Sequence, residues 1–406
     1  MRAEWITTRL GEITTKIGSG ATPLGGEGAY KESGICLFRS LNVHDWGFKE
    51  AKLAHIDDVQ ASRLSNVVVE ANDVLLNITG ASVARCCLAP LEFLPARVNQ
   101  HVSIIRPATG RLLSAFLHYL LISKIYKDRL LHTGEEGGST RQAITKAQIQ
   151  AFIIGYPASL AEQQRIVAIL DEAFDAIATA KTNAEKNLQN ARAVFESHLH
   201  SVFAQAWKSE ELVPLSELAT DITDGDHLPP PKSETGVPFI TIGNIQKETS
   251  TIDFTDTFMV PHEYFNRLNA NKRPKRSDVL YTVTGSFGIP VMVRDDGKFC
   301  FQRHIGLIRP RAEIQTEWLY YLLSSSQVFT QATERATGTA QKTVSLQVLR
   351  SLQVPRVSPP QQCSAVIKLD ALRAQTQRLE SIYRRKLAAL DALKKSLLDQ
   401  AFTGKL

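Results

Sequence analysis

Side chains able to grip a base edge or a phosphate fall at two matched sets of positions in this 406-residue chain. In the major groove of a duplex, arginine suits guanine, asparagine or glutamine suits adenine, and serine or threonine suits either. One set is Arg39, Asn42, Asn77, Thr79, Ser82 and Arg85; the other is Thr241, Asn244, Thr282, Thr284 and Ser286. Two glycine-bounded loops add polar donors beside a basic residue: Ser139, Thr140, Arg141 and Gln142 in one, Thr339, Gln341 and Lys342 in the other. The densest basic run, Lys272, Arg273, Lys275 and Arg276 around Pro274, suits a phosphate clamp. The bland alternatives stay open: Asn and Thr at strand ends also close turns, and a basic run can be an ordinary solvated loop.

Other chemistry is poorly served. Gly338 to Thr343 approaches a phosphate-binding loop but lacks the glycine before Lys342, so no ATP site follows. Gly18-Ser19-Gly20 reads as a turn. His198 and His200, two apart on a helix, point to different faces and form no metal pair. The five cysteines are odd in number with no C-x-x-C spacing, and Cys86-Cys87 suits a buried strand end. No run of eighteen apolar residues suggests a membrane span, and the first residues lack a secretory pattern, so a cytoplasmic protein is expected. With 43% hydrophobic and 22% charged residues the chain buries real cores and is not disordered. The formal charge of +6 suits a polyanion without requiring one.

What must position the polar sets is a repeat. At an offset of 199 residues Leu170 matches Leu369, Asp171 matches Asp370 and Phe203 matches Phe402, with no insertion over about 45 residues. Both stretches open on a capping box, Ser159-Leu160-Ala161-Glu162 and Ser358-Pro359-Pro360-Gln361, with Pro359 at the first helical position. Apolar side chains then recur in steps of three and four. Ile166, Leu170, Ile177, Leu188, Phe195 and Leu199 mark the first stripe; Leu369, Leu379, Leu387, Leu390 and Leu397 mark the second. Such a narrow stripe is the seam of a coiled coil, on helices each roughly 65 Å long. The first helix carries a net −1 over residues 159–208 and the second +5 over residues 366–406, so the two attract. A compact segment between them requires the second helix to run back along the first, which predicts antiparallel pairing. Packing of each helix on its own globular domain, or on a second copy of the chain, is the alternative.

The segments before the helices match more loosely. Asn72-Asp73-Val74 answers Ser277-Asp278-Val279, Thr79-Gly80 answers Thr284-Gly285, and Ile105-Arg106-Pro107 answers Ile308-Arg309-Pro310. Short β-branched runs between Gly, Asn and Asp read as strands, while residues 114–126 and 316–329 read as amphipathic helices. The expected fold is α/β: similar globular domains at 1–158 and 208–357, separated by long antiparallel helices at 159–207 and 358–406 that form a coiled-coil spacer. The whole is a pseudo-two-fold internal repeat.

Laid out this way, the whole chain resembles the specificity subunit of a type I restriction-modification enzyme. The most specific parts are Pro157 with Glu162-Gln163-Gln164, the degenerate Pro359-Pro360-Gln361-Gln362, and the closing residues 396–406. Cys363 departs from the pattern, standing where the first copy has Arg165. The resemblance implies two target recognition domains, each reading one half of a bipartite, asymmetric site in double-stranded DNA. It also implies two methyltransferase subunits docked on the helices and restriction subunits acting as an ATP-driven motor nuclease. S-adenosylmethionine, ATP and Mg would then reside in those partners, with no cofactor or metal in this chain. An adenine methyltransferase needs an Asn/Asp-Pro-Pro-Tyr/Phe motif, and the pairs Pro229-Pro230 and Pro359-Pro360 lack its flanking residues. A stand-alone methyltransferase or nuclease is therefore disfavoured, and a coiled-coil scaffold without DNA readout is the other rival.

Overall fold

Strands made almost wholly of apolar residues need cover on both faces, and each half of the chain supplies it with helices on one side and a second sheet on the other. The computed structural model describes residues 4–135, 143–227, 229–339 and 341–403. By its contacts the chain divides into two units, Met1–Glu185 with Arg385–Leu406, and Lys186–Arg384.

In the first unit an antiparallel sheet runs in the order Thr14–Ser19, Val102–Pro107, Val74–Asn77, Cys86–Leu88. Side chains alternate between its faces. Val74, Leu76 and Ile105 join a core with Phe116, Leu117 and Leu120 of the helix Ser114–Ile122. Leu75, Val102 and Ile104 join Leu37, Phe38 and Val98 of a second sheet, ordered Ala54–Ile56, Ile35–Phe38, Ala96–Val98, Val68–Val69. The strand Trp5–Arg9 pairs with Ile153–Pro157, just before the first long helix.

The second unit repeats this plan. Its main sheet runs Ala219–Asp224, Ile305–Pro310, Val279–Thr282, Pro290–Met292, and its second sheet Phe258–Val260, Val237–Ile240, Cys300–Phe301. In both second sheets the central strand has one parallel neighbour. Matched glycines permit matched close approaches: a Cβ on Gly20 would lie 1.8 Å from the Val98 carbonyl oxygen, and one on Gly225 2.0 Å from that of Phe301. Gly20 thus serves backbone packing.

Residues 114–126 and 316–329, expected as single helices, are each broken. Ser114–Ile122 is followed by Lys124–Glu135, and Thr316–Leu323 by Ser326–Arg335. The cause is a serine that bonds the backbone in place of continuing the helix: the hydroxyls of Ser123 and Ser325 donate to the carbonyls of Leu120 and Leu322, each at 2.6 Å. The first helix of each pair is buried around most of its circumference rather than amphipathic.

The long helices span Leu160–Ser209 and Pro359–Phe402, 50 and 44 residues. Each builds half of its capping box. Ser159 accepts from the Glu162 amide at 3.4 Å while Glu162 turns to Arg165. At the other helix Gln361 accepts from the Ser358 amide at 3.2 Å. Within the first unit Ile166, Leu170, Phe174 and Ile177 share a core with Leu390, Leu397, Leu398 and Phe402, and Lys181 meets Asp391 at 2.7 Å. Within the second, Phe195 and Leu199 share one with Leu369, and Arg192 meets Glu380 at 3.1 Å. Rising numbers on one helix meet falling numbers on the other in both units, so the pairing is antiparallel. The helices also sink into the globular cores, Phe402 against Phe116 at 5.3 Å and Phe203 against Trp318 at 4.8 Å. Leu188 and Leu387 are half-buried. Leu379 corrects the expected stripe: it is exposed, because from buried Thr376 the seam steps by four to Glu380, whose carboxylate meets Arg192, instead of by three.

Candidate nucleic-acid interface

Burial separates the expected contact residues into two groups. Asn42 and Asn244 are buried and close matched loops: Asn42 accepts from the Arg39 amide at 3.1 Å and donates to the Lys49 carbonyl at 2.8 Å, and Asn244 accepts from Thr241 and donates to Asp256 at 2.8 and 2.9 Å. Asn77 donates to the Ser40 carbonyl at 2.8 Å. Thr282 bonds both strands of its turn, to the Ser286 carbonyl and from the Ile289 amide. Thr284 is buried as well. Arg39 is spent on Glu27, the Lys52 carbonyl and the face of Tyr30. These side chains hold the loops in shape and are turned inward in this structure, because the amide which suits adenine equally suits a turn.

The others reach solvent. In the first unit Thr79, Ser82 and Arg85 line a cleft of about 400 Å³ with Ser40, Leu41 and His101. Thr79 Oγ1 lies 2.5 Å from His101 Nδ1, and Gln100 Nε2 3.1 Å from the other ring nitrogen. His101 follows the matched strands in Asn99-Gln100-His101, and the repeat with His304 was the available signal for it. In the second unit the exposed Ser286 and Gln341 come together, since the Gly285 amide donates to the Lys342 carbonyl at 3.0 Å and Thr284 bridges Thr343. Lys342 and Thr339 are exposed beside them. Burial, reinforced by Arg303, lowers the pKa of His304 and favours its neutral ring. The equivalent loop in the first unit, with Ser139, Thr140, Arg141 and Gln142, lies outside the described residues.

The basic run also divides. Lys272 donates to the Gly225 carbonyl and Arg273 to the carbonyls of Leu268 and Asn266, so both brace the fold. Lys275 and Arg276 are exposed, with no ion pair to a described residue.

A hairpin that sequence reasoning missed, Val43–His44 with Gly47–Phe48, follows the cleft residues Ser40 and Leu41 and reaches the helices. Trp46 at its tip packs on Phe174 at 5.3 Å, with the Lys394 ammonium 3.5 Å from the indole centroid. The Asp45 carboxylate pairs with Lys127 and its carbonyl accepts from His118 Nε2 at 2.9 Å. Burial dominates at His118 and depresses its pKa. The neutral ring is favoured in the folded state, so its contribution is intact above the unfolded value of about 6.5 and fades as pH falls below it. Urea midpoints should therefore drop between pH 7.5 and 5.5, and His118→Gln should flatten part of that drop; an unchanged slope would exclude His118 as a source.

Among the described residues no cluster of three or more His, Cys, Asp or Glu could hold a metal. Burial pushes the thiols of Cys87 and Cys300 up to about 12, far from a nucleophile's range. No described helix is long and apolar enough to cross a membrane.

Comparison with known proteins agrees with this architecture. The type I restriction enzyme EcoBI specificity subunit of Escherichia coli is 29% identical over 133 residues, 32% of this chain and 28% of that protein. The matched stretch thus spans under a third of that relative. A chain solved in a study of complex assembly and conformational transition of the type I R-M system superposes with a TM-score of 0.79 at 18% identity over 100% of both chains. The HsdS subunit from Thermoanaerobacter tengcongensis gives 0.60 at 18% identity, over 99% of this chain and 97% of that one. At that identity the likeness is one of fold. The profile of the Type I restriction modification DNA specificity domain matches twice, over residues 3–189 and 210–386, and the chain belongs to that family.

Proposed function

We propose that the chain is the DNA-recognition subunit of a type I restriction-modification system, reading a bipartite, asymmetric duplex site with one unit per half-site. The observation that carries this is the repeat itself: two units of one construction present different polar side chains from equivalent loops. Thr79, Ser82 and Arg85 are the contacts proposed for the first unit, with Ser139, Thr140, Arg141 and Gln142 assigned by their match to the second unit's loop. Ser286, Thr339, Gln341 and Lys342 are those of the second, with Lys275 and Arg276 on phosphates. Two methyltransferase subunits dock on the long helices and bring restriction subunits with them. S-adenosylmethionine, ATP and Mg belong to those partners, in the cytoplasm, and this chain contributes no catalytic group.

Exchange of residues 5–152 for the equivalent domain of another family member tests the reading. Methylated adenines mapped in a host carrying the hybrid should show one altered half-site and one retained. Changes in both half-sites would contradict independent recognition. Methyl transfer to DNA by the purified chain alone would instead favour a stand-alone enzyme.

A further inference from the structure

One turn closes on the same pair of backbone hydrogen bonds in both units, although it is one residue longer in the first and holds the short helix Gly80–Ser82 there, and it carries side chains of opposite character. In the first unit Ala84 stands at φ 64°, its amide donating to the Asn77 carbonyl at 2.9 Å, while the Asn77 amide donates to the Arg85 carbonyl at 2.8 Å. In the second unit Gly288 stands at φ 91°, its amide donating to the Thr282 carbonyl at 2.9 Å, while the Thr282 amide donates to the Ile289 carbonyl at 3.1 Å. The strands that follow begin at Cys86 and Pro290. Arg85 and Ile289 therefore occupy the same position.

Arg85 differs from three other arginines of its unit. Arg39, Arg97 and Arg106 are committed to carbonyls or carboxylates of their own unit. Arg85 makes no side-chain hydrogen bond or ion pair with a described residue, although it is only partly exposed. Its backbone is pinned on both sides, its own amide donating to the Ser82 carbonyl at 3.2 Å. Its neighbours in the cleft, Ser40, Thr79, Ser82 and His101, are hydrogen-bonding groups without a fixed charge, while on its other side an adjoining groove brings Lys49 and Asp45, the latter already paired with Lys127. The two parallel donors of a guanidinium fit a phosphate as well as the O6 and N7 edge of guanine; what favours the base edge here is that Arg85 is only partly exposed, unspent, and held at a fixed point among hydroxyls.

We infer that Arg85 reads a guanine in the half-site of the first unit, and that Ile289 leaves the equivalent position of the second half-site without a guanine requirement. This rests on the duplex-recognition reading above and assigns one of its determinants.

The test is selection from a randomised duplex pool by the full chain assembled with its methyltransferase subunits. Wild type should enrich a two-part site with a fixed guanine in the half assigned to the first unit by the domain exchange. Arg85→Ala should make that one position degenerate, leave the other half-site intact, and weaken binding to the wild-type site by about 5- to 150-fold, the range for loss of one bidentate base contact. Arg85→Gln, which is shorter but carries the amide that suits adenine, should move the preference at that position toward adenine. Equal weakening on all sequences with the guanine retained would make Arg85 a backbone contact and overturn the assignment, as would an unchanged site. Failure of wild type to enrich any sequence would remove the duplex-recognition reading itself, a result distinct from either.

Discussion

Arg106→Ala is expected to destabilise the first unit by about 3–5 kcal/mol, the cost of breaking a buried ion pair from one side. Asp73 is fully buried, and Arg106 grips it as a fork, Nε to Oδ1 at 2.7 Å and the terminal nitrogen to Oδ2 at 2.9 Å. With the guanidinium gone, the carboxylate keeps only the Glu70 amide at 2.7 Å. The asymmetry of the pair decides which partner matters more. Arg106 is partly exposed and also meets Glu70, so after Asp73→Ala it still finds water and one counter-charge; Asp73 after Arg106→Ala finds neither. The arginine deletion should thus cost more than the aspartate deletion, and Arg106→Lys, which keeps the charge but loses the fork, should fall between. Urea unfolding of the three variants gives the ranking. A loss under about 1 kcal/mol for Arg106→Ala would show that water reaches Asp73 in the folded state.

The second unit repeats the device at Arg309 and Asp278, with bonds of 2.9 and 2.8 Å, so Arg309→Ala should act in the same direction. Both pairs stand in the matched segments of the sequence, but the sequence does not say that they touch. Their members are 33 and 31 residues apart, and only the strand register, Ile105 beside Val74 and Ile308 beside Val279, brings them together.

The same boundary runs through the rest of the molecule. Periodicity reports on what must be buried along a continuous element, and so the long helices, their antiparallel pairing and the repeat were legible. Leu379 was misplaced because a run of threes and fours leaves the next step ambiguous, and only an ion pair at Glu380 chooses it. Polar loop residues are harder still. Asn42 and Ser82 look equally suited to a base edge, yet one is sealed inside its loop and the other lines a cleft. Chemical type is shared between turn-making and ligand-binding, so which of the two applies is settled by three-dimensional neighbours. Trp46 had no local signal at all, since its partners Phe174 and Lys394 are distant in the chain.

Gln163→Ala is the second large loss expected, about 2–4 kcal/mol, because one buried and two partly buried backbone groups lose their partner at once and each orphan costs about 1–3 kcal/mol before water reaches it. The side chain is fully buried; its oxygen accepts from the Leu113 amide at 2.9 Å, and its nitrogen donates to the carbonyls of Arg111 and Pro157 at 3.0 and 2.9 Å. It thereby fastens the start of the first long helix to the loop that enters Ser114–Ile122. Gln362 does the same in the second unit, with one bond stretched to 3.4 Å, so Gln362→Ala should cost somewhat less. Gln163→Glu separates hydrogen bonding from volume. A carboxylate fills the space and still accepts from Leu113, but it has no donor for the two carbonyls and would bury a charge, so it should be at least as damaging as alanine. If Gln163→Glu were instead tolerated within 1 kcal/mol in urea unfolding at pH 7.5, the site would be wet, and the joint between helix and recognition domain would owe its rigidity to the packing of Ile166 and Leu170 alone.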